Sequence, residues 1–219
     1  MAQIPVTQIL RLVDDHSTAD LAVYVGRAAR ADPGGAARLS VTGTVLALYV
    51  SPVSGGRGPT VLGLRTFALA EPVDVDIVVP LSALTDRLAR PSNGRDLPVP
   101  PVQAPGIAWA GVTPPRSGWL PAEPLPVDVV IRCAEDGIAE VAAGSPDVAG
   151  APAVAALRAR VWGRVIPGTD IPAGTAFVAH ALGFVRPGHA PAASFTAGPW
   201  SRLSTGGGHV LARQPLLTT

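Results

Sequence analysis

The sequence predicts an α+β fold, a mixed or antiparallel sheet packed with several helices and joined by many Pro- and Gly-rich loops. Three observations lead there. Runs rich in β-branched residues alternate irregularly with runs of helical spacing, which does not fit the strict β–α repetition of a doubly wound parallel sheet. Twenty-four Gly and 24 Pro in 219 residues punctuate the chain into short elements. Apolar residues make up 47% of the chain and aromatics only 5%, so Val, Leu, Ile and Ala must build the core.

Val6, Ile9, Leu10 and Val13 recur at i, i+3, i+4 and i+7, the spacing of an amphipathic first helix. Ser17-Thr18-Ala19-Asp20 resembles a capping box for a second helix, which continues through Leu21, Tyr24, Val25 and Ala28 and stops at Asp32-Pro33-Gly34-Gly35. Leu39 to Val50 and Thr60 to Leu69 then read as strands, separated by the long flexible loop Ser51 to Pro59. Val73, Val75, Ile77 and Val79 alternate with Asp74 and Asp76, a strand with one wet face. Pro80 starts a helix with Leu81, Leu84 and Leu88 on one side.

The proline-rich stretch Pro91 to Gly106 reads as a linker or surface arm. The chain is therefore expected to be a single domain, divisible into subdomains 1–90 and 107–219 around segment 91–106. Ile107 to Val112 resembles a short strand, with Trp119-Leu120 pairing back on it. After Pro126, the residues Val127, Val130, Ile131, Ala134, Ile138 and Val141 form a continuous helical stripe, capped at Gly144. Pro152 to Val161 is a shorter helix, and Phe177, His180, Ala181 and Phe184 lie on one face of another. Ser201 to Thr205, a turn of three glycines, and His209 to Arg213 read as a terminal hairpin.

Function is bounded mainly by exclusion. All 17 basic side chains are Arg; no Lys is present, so neither a Schiff-base Lys nor a phosphate-loop Lys exists in this chain. Arg in place of Lys, with abundant Ala, Gly and Pro, is also what a GC-rich genome produces. The net charge of +1 is not the footprint of a dedicated nucleic-acid binder. The one cysteine, Cys133, rules out an internal disulfide and a multi-Cys metal site within the chain. Its neighbour Arg132 could depress the thiol pKa, but a lone Cys is more simply a small packing residue. His16, His180, His189 and His209 are scattered, so neither a metal nor another cofactor is expected. The apolar runs are far shorter than a bilayer span, and with no leader pattern at the N-terminus the expected setting is cytoplasmic.

Two blocks could carry binding chemistry. In Trp109 to Trp119, Pro114 and Pro115 stiffen a turn that holds Arg116 between two indoles, a way to offer a guanidinium to a phosphate or carboxylate. In Trp200 to Arg213, Arg202, Ser204 and His209 flank glycines that lead into a strand and not into a helix, which fits a hairpin turn better than a phosphate loop. The candidate ligand-binding residues are thus Trp109, Arg116, Trp119, Arg202 and His209. A third block, Arg158, Arg160 and Arg164 around Trp162, could contact nucleic acid, though the low net charge argues against it.

The leading expectation is a non-catalytic protein that binds a partner or assembles with itself. The alternative is a small enzyme or ligand-binding module that holds an anionic compound through Arg116, with Arg202 and His209. With 15% charged residues and 47% apolar ones, surface apolar area should drive a closed homo-oligomer, a two-fold dimer first, burying at least ~1,000 Å² with the 91–106 segment at or near the contact. Light scattering over a dilution series should report a multiple of 22.2 kDa; a monomer at every concentration would contradict it.

Overall fold

A computed structural model describes residues 8–53, 58–90, 94–145 and 150–214. It is an α+β fold, with five α-helices, one eight-stranded sheet and a two-stranded sheet among the described residues. The chain divides into two compact units, Met1–Val50 with Arg65–Ala110, and Ser51–Leu64 with Gly111–Thr219.

The first unit begins with β1 (Ile9–Arg11), where a helix was expected. Exposure alternates, with Ile9 and Arg11 out and Leu10 and Leu12 fully buried, which is a period of two. The backbone finds its partner 85 residues on, Arg11 opposite Asp96 of β6 (Asp96–Pro98), and this distant ladder overrides the local helical spacing. Val6 lies outside the described residues.

Helix α1 (Asp15–Ala31) starts before Ser17 because Asp14 is its cap: the Asp14 carboxylate accepts the Ser17 N–H at 2.7 Å. Leu21, Tyr24, Val25 and Ala28 are buried as expected. Leu39 to Val50 is not one strand. It spans β2 (Ala36–Thr42) and β3 (Val45–Val53), turned at Gly43, whose φ of 60° suits a residue without Cβ.

β4 (Thr60–Ala68) and α2 (Leu81–Leu88) follow the expected pattern, whereas β5 (Asp76–Pro80) takes only the second half of the strand expected from Val73 to Val79; Val73 to Val75 lie before it. Residues 54–57 of the expected 51–59 loop lie outside the described residues, and β3 runs on to Val53. From Gly94 the proline-rich segment folds onto its own unit. Leu97 and Val99 are buried, and Ala104 N–H donates to Val78 of β5 at 2.8 Å. Residues 91–93 lie outside the described residues. Ile107 to Val112 is not a strand: Ala108–Gly111 forms a 3-10 turn.

In the second unit β7 (Leu120–Leu125) pairs with β8 (Ala192–Ala197), not with 107–112. A meander β8–β9–β10 follows, with β9 at Trp200–Thr205 and β10 at Gly208–Arg213, and β10 pairs with the first half of β4. The whole strand order is β5-β2-β3-β4-β10-β9-β8-β7, antiparallel at each described pairing.

Three helices, α3 (Val127–Ala143), α4 (Ala151–Gly163) and α5 (Ala173–Ala181), complete the second unit. α5 covers the sheet face that bears Val61, Leu203, Val210 and Ala212: a Cβ on Gly174 would lie 3.1 Å from Val61. In α5 the buried positions are Ala173 to Ala176, Val178 and Ala179, a broader surface than the Phe177–His180 face expected from spacing.

Trp162 ties the three helices together. It is 1% exposed, stacks on Phe177 at 4.5 Å between centroids, and its ring fills the space a side chain at Gly137 would need. The α3 stripe therefore turns inward at Gly137 and leaves Ile138 39% exposed, where the spacing placed it in the core.

Two consequences can be measured in denaturant. Ile131→Ala should lower stability by about 2–5 kcal/mol and Ile138→Ala by much less, because only Ile131 leaves a cavity. Gly137→Ala should also destabilise, by about 1–3 kcal/mol of overpacking against Trp162. Equal midpoints for the two Ile variants would refute this packing.

Candidate functional site

Antiparallel register sets the site. Arg202 of β9 lies opposite Phe195 of β8, and Ser204 lies opposite His209 of β10. Successive side chains alternate, so Arg202, Ser204, Phe195 and His209 share the face opposite α5. All four are half-buried, whereas Leu203 and Val210 on the helix-covered face are closed off.

The Arg202 guanidinium packs against two rings, 4.2 Å from the Phe195 centroid and 4.7 Å from that of Trp119. Trp119 is held in turn by its own indole N–H, which donates to the Pro115 carbonyl at 3.0 Å. The Pro114-Pro115 turn therefore sets the position of one wall of the clamp.

Arg202 makes no ion pair or hydrogen bond through its side chain among the described residues, and its Nε is buried without a partner. Arg11, Arg38, Arg65 and Arg164 each meet a carboxylate instead. Arg38 shows the contrast best. It forks onto Asp76 with two bonds of 2.7 Å, and that hydrogen bond raises its pKa. Burial lowers the pKa of Arg202, with no opposing carboxylate, although an arginine remains cationic at neutral pH. Two cation–π contacts, about 0.5–2 kcal/mol each, offset part of that desolvation.

His209 extends the cluster. Its Nδ1 lies 2.9 Å from Ser204 Oγ. Burial first, and the nearby positive charge of Arg202 second, hold the imidazole below its ordinary value, so it is neutral at pH 7. No carboxylate hydrogen-bonds to the ring among the described residues, so the Ser–His pair lacks the orienting third member of a nucleophile triad. The arrangement is suited to holding an oxyanion: a guanidinium supported by two aromatic rings, with a hydroxyl and a neutral imidazole on the same sheet face.

Of the residues singled out in the sequence, Trp119, Arg202 and His209 come together. Arg116 is exposed and makes no ion pair among the described residues. Trp109 belongs to the first unit, where it is 7% exposed and followed by Ala110, whose carbonyl accepts from Arg38 at 2.9 Å. Phe195 was missed; its strand, Ala-Ala-Ser-Phe-Thr-Ala, has too little β-branched character to stand out.

The third arginine block is engaged internally. Arg164 and Arg160 both meet Glu140, and Arg158 donates to the Pro52 carbonyl at 3.3 Å. The Cys133 thiol is pushed up by burial and by Asp136, opposite to the lowering expected from Arg132. Among the described residues no three His, Cys, Asp or Glu side chains are grouped to hold a metal ion, and no helix is long and apolar enough to cross a membrane.

Residues 6–111 match a family model described as a domain of unknown function (DUF8010), and residues 114–217 match a second, also a domain of unknown function (DUF8185). No curated protein matches the chain. The second match begins three residues after Gly111, where the second unit resumes, and contains the whole Trp119–Phe195–Arg202–His209 cluster.

The depressed His209 pKa has a definite sign. Its contribution to stability is complete above the ordinary histidine range and is lost as pH falls through the lower folded value, because the unfolded chain then binds the proton more readily. An NMR titration should find His209 below the ordinary histidine value, and Arg202→Gln should move it upward by removing the neighbouring charge. No movement in the variant would separate the two residues electrostatically.

Proposed function

We propose that this chain is a binding protein whose second unit captures a carboxylate or phosphate group through Arg202. One observation carries the reading: a partly desolvated guanidinium, packed against Trp119 and Phe195, has no protein counter-charge among the described residues. Burying a cation without a partner is costly, and an incoming oxyanion would regain that cost through charge-assisted hydrogen bonds. The planar fork of a guanidinium favours bidentate recognition of a carboxylate or phosphate.

His209 and Ser204 would lie beside the bound group and add neutral hydrogen bonds. The absence of a carboxylate on the histidine ring favours binding over acyl-transfer chemistry. Arg116, exposed three residues before Trp119, is available as a second cation for a larger ligand, as the sequence block implied. The anionic group would belong either to a small compound or to the acidic surface of a partner. Self-association remains part of this reading on composition alone, and a reducing cytoplasmic setting suits the free thiol of Cys133.

Titration with succinate and with inorganic phosphate, followed by the Arg Nε–H and Trp indole NMR signals, tests the proposal. Saturable shifts at Arg202 and Trp119 are expected, with affinity falling at least about tenfold in Arg202→Gln and less in Arg116→Gln. Shifts that are absent for both anions, or unchanged in the Arg202 variant, would reject it.

A further inference from the structure

The face that bears Arg202 also holds a titratable group whose charge a bound anion would change. In the ladder of β9 with β10, Ser204 lies opposite His209 and Arg202 opposite Leu211, so Arg202 and His209 are diagonal neighbours. Diagonal neighbours in a sheet stand roughly 7–8 Å apart, close enough for long polar side chains to meet one group between them. The two residues already sense each other: after burial, the positive charge of Arg202 is the second cause that holds the imidazole neutral. An anion on the guanidinium cancels that second cause and itself favours the protonated ring.

The charged groups around His209 have one sign. On its own strand the same face carries Leu211 and Arg213; on β9 it carries Trp200, Arg202 and Ser204; on β4, its other neighbour, it carries Leu62 and Leu64. Beyond β9, β8 brings Ala193 and Phe195. The turn leading to Trp119 adds the exposed Arg116. On the opposite face α5 has His180 as its one titratable residue. None of these positions is a carboxylate, so a proton on His209 gains a counter-charge only when a ligand brings one.

Ser204 suits both states of the ring. Its Oγ lies 2.9 Å from Nδ1. A hydroxyl both donates and accepts, so it serves the neutral nitrogen as donor and the protonated one as acceptor without moving. In the imidazolium, Nδ1–H is engaged by Ser204 and Nε2–H is left as a donor for the ligand. The site then offers two positive charges, Arg202 and His209, to one group.

We propose that the Arg202 site prefers a doubly charged tetrahedral oxyanion, of the phosphate or sulfate type, to a singly charged one, and binds it together with a proton that His209 takes from solvent. This rests on the anion reading above and narrows it. By linkage, the factor by which the proton tightens the anion equals the factor by which the anion tightens the proton. At high pH the ring is neutral with or without ligand, and affinity is low. Affinity rises as pH falls into the range where only the occupied site is protonated, and levels off once the empty site is protonated too.

The test is an NMR titration of the full chain with sodium sulfate, against sodium chloride at matched ionic strength, with methanesulfonate as the singly charged tetrahedral control. Sulfate keeps its charge throughout, whereas a phosphate monoester loses one near pH ~6. Sulfate affinity, read at Arg202 and Trp119, should rise about tenfold from about pH 8 to about pH 5.5, and methanesulfonate affinity about threefold or less. Saturating sulfate should raise the His209 pKa by the matching amount. His209→Asn should flatten the sulfate profile. Methyl phosphate compared with sulfate at about pH 8, where both are dianions, tells which type the site takes. A sulfate affinity that does not vary with pH, an equal gain for methanesulfonate, or an unchanged profile in His209→Asn would overturn the proton linkage while the anion reading stands. No response to sulfate at any pH would overturn both.

Discussion

Trp162 is the contact on which the second unit depends. Its indole occupies the place of the missing side chain at Gly137 on α3, stacks on Phe177 of α5 and belongs to α4, so one ring joins all three helices. Gly174 then lets α5 approach Val61 on the sheet. With the helices held against one face, the other face of the β8–β9–β10 meander is left to the segment before β7. That is where the Pro114-Pro115 turn lays Trp119 over Arg202.

Charge follows from the same arrangement. Half-buried Arg38 in the first unit is matched by Asp76, and Arg65 by Asp20 at 2.6 Å. Those pairs satisfy their cations within the fold and leave nothing for a ligand. Arg202 is supported by rings in place of a carboxylate, which keeps it in position without neutralising it.

Much of this was legible in the sequence, and the misses have physical causes. The α1, α2 and α3 patterns and the terminal hairpin were clear because their apolar positions repeat over several turns or flank a glycine turn. The β1 segment was misread because Ile9, Leu10 and Val13 fit a helix face until a partner strand from residues 96–98 is known. Gly43 gave a turn signal too weak to split a continuous β-branched run. Ile138 followed the expected stripe, but an indole from another helix claimed the adjacent Gly137. Trp119, Arg202 and His209 were recognisable as residue types in rigid turns and strands. Their meeting was not, since it depends on register with β8, a strand of small residues that also supplies Phe195.

The central claim is that Arg202 is a cation held in place without a protein counter-ion. Thermal unfolding in sodium phosphate against sodium chloride at matched ionic strength tests it directly, because an anion that binds only the folded state raises the midpoint with its concentration. The account predicts a rise with phosphate in the wild-type protein that disappears in Arg202→Gln and persists in Arg38→Gln, once each variant is referred to its own chloride baseline. The same phosphate-dependent rise in the Arg202 variant would contradict it.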